Sequence, residues 1–193
     1  LWYWSYQEAW KSKIFDLIII SSDGGITKGK VLEPAFIDND RPEMFATDEA
    51  NLDDLLFFYA SKNKDIELWC LLQPTSPLRT AQDIKKAHKI VLNEKWDSLV
   101  SVTPNPVMGW VENATSEGHV ALYHYNERPN RQKRKSWFLE NGAIYFTKKY
   151  VLDTFRSRLG GQIALYKMPK ERSIEIDDEF DWKIAEYLMN GRK

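Results

Sequence analysis

The chain has 193 residues, 43% of them hydrophobic, enough for one domain with a packed core and at most a small appendage. Its net charge of −1 gives no bulk field for nucleic acid or an anionic membrane, and no apolar run approaches the length of a membrane span. Cys70 is the only cysteine, which excludes an internal disulfide; lying in an apolar run, it reads as an inert core thiol of a reducing compartment, so the expected location is the cytoplasm.

Residues 1–14 mix aromatics with alanine and close in a lysine-rich turn, the pattern of the tail of a helix. Residues 16–22 (DLIIISS) form a continuous apolar run, expected as a strand buried on both faces and ended by Asp23-Gly24-Gly25. Residues 26–46 show no clean period and are broken by Pro34 and Pro42. A helix is expected over 48–62, with Leu52, Leu55, Leu56, Tyr59 and Ala60 on one side. Residues 67–73 read as the next buried strand, which runs into Gln73-Pro74-Thr75-Ser76-Pro77-Leu78-Arg79. Its two prolines fix φ and remove two N–H donors, so this polar loop is stiff. Ligands of open α/β sheets sit just outside the carboxyl ends of strands. The loop is therefore a candidate site that holds Gln73 and Arg79 in place at little ordering cost.

Thr80 is placed to cap the following helix, with Asp83 three residues on and Ile84, Ala87 and Val91 as its apolar stripe. Residues 98–103 read as a strand closed by Pro104 and Pro106, 120–125 as a half-exposed strand, and 142–148 and 163–168 as two more. Asp178 suits the cap of a last helix with Phe180, Ile184 and Leu188 inward. The strand–helix alternation of the first half predicts an α/β domain with a parallel sheet and crossover helices. The half-exposed strand around 120–125 suggests an arm or small antiparallel insertion.

Residues 24–30 (GGITKGK) fit the pattern GxxxxGK after a strand, but Val31 stands where a phosphate loop needs a hydroxyl residue for Mg²⁺, and Glu33-Pro34 discourages the helix that should follow. A surface turn with two lysines is the better reading. Glu175 and Asp177 lie two residues apart, so in an extended segment both point to one side and suit Mg²⁺ held together with substrate phosphates. On spacing alone an acidic helix start is favoured, because Asp178, Glu179 and Asp181 continue the run. Asn141 heads a strand and can read a hydroxyl or carboxylate, although a turn residue is commoner there. Residues 128–135 (RPNRQKRK) are a solvated loop or a contact for an anionic substrate, with nucleic acid disfavoured by the overall charge.

Taken in order, LLQPTSPLR, NGAIY and SIEIDDEFDW resemble the CMP-sialic acid synthetases, the N-acylneuraminate cytidylyltransferases and their relatives for legionaminic and pseudaminic acids. DLIIISSDGG and RPEMFATDEAN resemble further segments of that family, and the similarity runs from about Trp4 to Met189. The resemblance implies a three-layer α/β nucleotidyltransferase fold with a mostly parallel central sheet, its core in 1–104 and 141–193, and a dimerisation arm in 105–140 of a homodimer. It implies a reaction joining CTP to a nine-carbon 2-keto sugar acid, giving a CMP-sugar and pyrophosphate with Mg²⁺ as cofactor. By position, Arg41 and Asp23 would bind the nucleotide. Gln73, Asn141 and Tyr145 would hold the sugar acid, Arg131 would reach an anionic group across the dimer, and Glu175 and Asp177 would hold Mg²⁺ and serve catalysis. Arg79 would anchor the loop.

The family opens with a strand and a basic glycine-containing loop that grips the triphosphate; neither is present here, and the chain reads as truncated at its start. Glu175 stands where the family more often has Asp. Two alternatives remain: the synthetase for the eight-carbon acid of lipopolysaccharide, and a non-catalytic relative that keeps only fold and dimer interface.

Overall fold

The computed structural model describes residues 1–24, 31–47, 49–105, 108–112, 117–128, 130–133 and 137–191. The chain runs α1 (Trp2–Ser12), β1 (Ile18–Ser21), β2 (Ala35–Asp38), α2 (Leu52–Lys62), β3 (Leu68–Leu71), α3 (Ala81–Val91), β4 (Ser98–Asn105), β5 (Trp110–Glu112), β6 (His119–Ala121), β7 (Trp137–Lys148), α4 (Lys149–Phe155), β8 (Ile163–Lys167) and α5 (Glu179–Asn190). The GxxxxGK segment lies outside the described residues beyond Gly24.

The main sheet has the order β3-β7-β4-β8. β3, β4 and β8 run one way, as the crossover helix α3 between β3 and β4 requires. The expected mostly parallel sheet is corrected on one point: β7 lies between β3 and β4 and is antiparallel to both, so the sheet is mixed. The sequence pattern hid this, because a buried central strand reads as the same apolar run in either direction. β1 and β2 form a separate parallel pair, and β5 with β6 an antiparallel hairpin. Among the described residues β1 is laddered on one side only, to β2, and β3 on one side only, to β7.

Helices cover both faces. α3 sets Ile84, Ala87 and Val91 against Leu99, Ile144, Phe146, Ala164 and Met168, with Ile14 and Phe15 after α1 closing the same cluster. On the other face, Leu55, Leu56, Tyr59 and Ala60 of α2 pack with Trp69 and Leu152, and this cluster takes in both Ile19 of β1 and Leu71 of β3. α2 thus bridges two sheets that share no ladder. Cys70 packs on the α3 side and burial pushes its thiol well above the ordinary range, as suits an inert core residue.

Local signals set several boundaries. Thr80 and Asp83 make a complete capping box on α3, and Asp178 Oδ1 accepts from Asp181 N to cap α5. Other expectations are corrected. α2 begins at Leu52 rather than Asp48, because Asn51 Oδ1 caps it by accepting from Asp53 N. β1 is half-buried except at Ile20, which is buried, and among the described residues it has β2 as its one ladder partner. β2 arises in a stretch that shows no period in the sequence, four residues being too few to reveal alternation. β4 runs through Pro104 to Asn105, where β8 has already ended and β7 is its one ladder partner among the described residues. Phe180 is 70% exposed, since α5 buries only Ala185 against the fold.

Candidate functional site

The register of β7 against β4 is broken at one place. Val100 pairs with Tyr145 and Val102 with Glu140, so Ser101 alone faces residues 141–144. Bulges re-aim side chains and recur beside active sites. Ser101 Oγ fills the gap, accepting from Ile144 N at 2.8 Å and donating to Asn141 Oδ1 at 2.6 Å. Gly142 turns the chain there with φ of +63°, a left-handed value that glycine takes without strain.

The loop after β3 is stitched to this bulge. Ser76 Oγ donates to Asn141 O at 2.9 Å and Arg79 Nε to Ala143 O at 2.9 Å. The rest of the fully buried Arg79 guanidinium serves Gln73 O, Ser76 O and Ser5 Oγ of α1. Burial lowers its pKa to about 10, which still leaves it charged at neutral pH. Arg79 therefore anchors the loop and turns no donor to a ligand. A third segment closes over the bulge: Ile176 N donates to Thr75 O at 2.8 Å.

These three segments meet above Gly142. A Cβ placed there would stand 2.7 Å from Glu175 Cδ and 2.8 Å from Gln73 Oε1, so both side chains lie directly on the glycine. Asp177 is exposed beside them, its N–H donating to Asp181 Oδ2. Burial raises the Glu175 pKa above the usual carboxylate range, and the charges of Asp177 and Glu140 push it the same way. Tyr145 donates its hydroxyl to Glu140 Oε2 at 3.1 Å, and its pKa is raised, first by burial and then by that carboxylate. Arg158, paired with Asp53, lies over the Tyr145 ring at 5.1 Å.

Asn141 is placed differently from Gln73. It is 2% exposed, and its amide serves Ser101 Oγ, Ser173 Oγ at 2.8 Å and Met168 Sδ at 3.5 Å. In this structure those contacts tie the bulge to the segment that carries Glu175. Ser101 and Ser173 escaped the sequence reading, because a serine in a strand and one in a loop carry no signal until the bulge brings them to Asn141.

Arg41 and Asp23 lie elsewhere, at the carboxyl ends of β1 and β2. Arg41 donates to Ser21 Oγ at 2.9 Å and Ser21 O at 2.6 Å. Tyr59 of α2 donates to Asp38 Oδ2 at 2.7 Å and lies 2.8 Å from Ser21 Oγ; burial raises its pKa to about 12. Asp23 is exposed, following Ser22, whose hydroxyl closes a turn with Gly24. No contact described joins this pair to the Gln73–Glu175 group. The Arg131 side chain lies outside what is described.

Glu175 and Asp177 offer hard oxygen donors to a divalent cation, whose charge would offset the burial, and after it the Asp177 charge, that raise Glu175. Among the described residues no group of three or more carboxylate, histidine or cysteine side chains could hold an ion. That donor set fits Mg²⁺, which commonly takes one or two carboxylates and completes its shell with phosphates and water. No helix of the described residues is long and apolar enough to cross a membrane.

No family model matches the chain. It is 30% identical over 188 residues to the N-acylneuraminate cytidylyltransferase of Oncorhynchus mykiss, covering 95% of this chain and 43% of that protein. It is 29% identical over 188 residues to the N-acylneuraminate cytidylyltransferase of Escherichia coli O18:K1:H7, covering 94% of this chain and 44% of that protein. The chain thus spans less than half the length of the curated relatives it matches. Among solved structures, a CMP:2-keto-3-deoxy-manno-octonic acid synthetase complexed with CTP superposes with TM-score 0.62 at 14% identity, covering 98% of this chain and 87% of that one. The 4-diphosphocytidyl-2C-methyl-D-erythritol synthase of Anaerococcus prevotii superposes with TM-score 0.58 at 11% identity, covering 99% of this chain and 88% of that one. At such identities these likenesses bear on the fold alone.

Proposed function

We propose that this chain, a relative of the N-acylneuraminate cytidylyltransferases, carries the sugar-acid and metal side of a cytidylyltransferase that activates a nonulosonic acid with CTP. The observation that supports this reading most is the meeting of Gln73, Gly142 and Glu175: the three motifs of the sequence resemblance, far apart in the chain, converge on one glycine. In the reaction, the anomeric hydroxyl oxygen of the sugar acid bonds to the α-phosphorus of CTP. That hydroxyl gives up its proton, and the bond to pyrophosphate breaks. Positioning and charge neutralisation supply most of the rate in such displacements.

Gln73, held by the stiff loop, would orient the sugar acid, and Tyr145 would line the same pocket with its hydroxyl fixed on Glu140. Asn141 would act through the bulge, keeping Glu175 over Gly142. Bound between Glu175, Asp177 and the substrate phosphates, Mg²⁺ would neutralise charge on the phosphates. Arg41 and Asp23 would face the nucleotide from the ends of β1 and β2. A further strand lying between the edges of β1 and β3 that carry no ladder among the described residues would join the two sheets and bring that end beside Gln73. A homodimer, with residues 105–140 reaching the partner, belongs to the same reading.

Pyrophosphate release with CTP and Mg²⁺ tests it, offering N-acetylneuraminate, legionaminate, pseudaminate and the eight-carbon acid in parallel. CTP-dependent release with a nine-carbon acid, abolished in Asp177→Ala, is expected. Gln73→Ala should raise the KM for the acid and leave that for CTP unchanged. Absence of both turnover and CTP binding would refute the assignment and favour a non-catalytic relative.

A further inference from the structure

We infer that Arg172, locked on the buried Asp83, is a positioning residue that sets the Glu175–Asp177 segment over the site; the inference rests on the metal role proposed for those two carboxylates. Asp83 is 1% exposed and its carboxylate accepts five hydrogen bonds. Thr80 N and Oγ1 bond at 3.0 and 2.6 Å, Tyr166 of β8 at 2.9 Å, and Arg172 Nε and Nη2 at 2.9 and 2.8 Å. One carboxylate thus ties together the end of the QPTSPLR loop, the edge strand and the turn Lys170–Arg172.

Only two residues separate Arg172 from Glu175. Between them Ser173 is held by Asn141 Nδ2 and itself donates to Pro169 O at 2.9 Å, and beyond them Ile176 N is held by Thr75 O. The segment is therefore fixed before and after Glu175, and the first fixed point is the guanidinium fork. The Asp83 side chain is 2% exposed and that of Arg172 28%, and the cost of desolvating the carboxylate offsets part of the attraction between them. What a bidentate Arg–carboxylate pair adds is direction: two parallel bonds fix the plane of the guanidinium and so the course of the backbone behind it. Supporting residues of this kind typically change metal affinity by about 10–100-fold when removed.

The test is Mn²⁺ binding in the presence of CTP, read by electron paramagnetic resonance. The variants are Arg172→Ala, Arg172→Lys, Asp177→Ala and, as a control that loses core packing on α3, Val91→Ala, with fold checked by circular dichroism. Arg172→Ala should weaken Mn²⁺ binding about tenfold or more. Arg172→Lys, which keeps the charge and loses the fork, should fall between that variant and the wild type, and Val91→Ala should lose thermal stability at unchanged Mn²⁺ affinity. Wild-type affinity in Arg172→Lys and in a folded Arg172→Ala, with Asp177→Ala impaired, would overturn the positioning role alone. Should Arg172→Ala not fold, the lysine variant decides. If the wild type binds no Mn²⁺, or Asp177→Ala binds as well as wild type, the metal assignment falls and takes this inference with it.

Discussion

Gly142→Ala separates what the bulge does for the fold from what it does for the site. The backbone sits at φ +63°, so any side chain costs about 1–2 kcal/mol there. The added methyl would also stand 2.7 Å from Glu175 Cδ and 2.8 Å from Gln73 Oε1. Both are the far ends of side chains that can swing away, so the crowding is relieved by displacing them and adds little to the loss of stability. For a chain of this length about 1–2 kcal/mol lowers Tm by about 2–8 °C. Gly161 has the same φ of +63°, but its added methyl would lie 2.7 Å from Asp97 Cβ, which cannot rotate out of the way. Asp97 also accepts from Gln162 N at 2.8 Å, so Gly161→Ala should cost more stability while leaving the site intact. Calorimetry and steady-state turnover on both variants should rank them in opposite orders. Gly161→Ala should show the lower Tm. Gly142→Ala should show the lower turnover, by as much as about 100-fold if Glu175 and Gln73 shift by an ångström. Equal turnover in Gly142→Ala and wild type would refute the convergence on this glycine as a functional geometry.

Asp83→Asn gives a pH test. Burial alone would raise this acid, yet the bonds from Arg172, Thr80 and Tyr166 prevail and hold its pKa below the usual value. Its stabilisation is full above the unfolded pKa of about 3.9 and is lost as pH falls below that. The Tm gap to Asp83→Asn should therefore be constant from pH 7 to 5 and shrink only in stronger acid; a gap that closes between pH 7 and 5 would contradict this. Arg79→Met strands the acceptors Ala143 O, Gln73 O and Ser76 O in a dry interior and should cost about 3–5 kcal/mol, seen as loss of soluble folded protein or a large drop in Tm. Tyr59→Phe unties Asp38 and Ser21, so it should lower Tm by the worth of about 1 kcal/mol and, through the seat of Arg41, weaken CTP binding measured by calorimetry.

Much of the fold was legible where the cause is local. The Thr80–Asp83 capping box, the Ile84/Ala87/Val91 stripe and the Asp178 cap are all set by residues within a turn or two of one another. The anchoring role of Arg79 was expected from the family resemblance, and the structure bears it out in the bonds to Ala143 O, Gln73 O and Ser76 O. What escaped depends on register and on distant partners. β7 could not be ordered from its apolar content, and the bulge at residues 141–144 exists only relative to Ser101 on another strand. Asp83 showed its local role as a helix cap, while its bonds to Tyr166 and Arg172 join residues 83 and 89 positions away. Phe180 failed in the other direction: helical spacing put it on the apolar face, but α5 meets the fold at Ala185, and its first turn has no core to face.

Among the described residues, the β1–β2 pair and the four-stranded sheet share no strand, so their ladder hydrogen bonds form separate sets. Native-state hydrogen exchange should resolve them as two cooperative units. Amides of β1 and β2 are held against the rest by the packing of Ile19 under α2 and by the Tyr59 hydroxyl on Ser21 and Asp38, so they should exchange through a smaller opening. Amides of β4 and β7, buried in the middle of the larger sheet, should exchange only with global unfolding. The β1–β2 end that carries Arg41 would then open and close while the Gln73–Glu175 group stays formed.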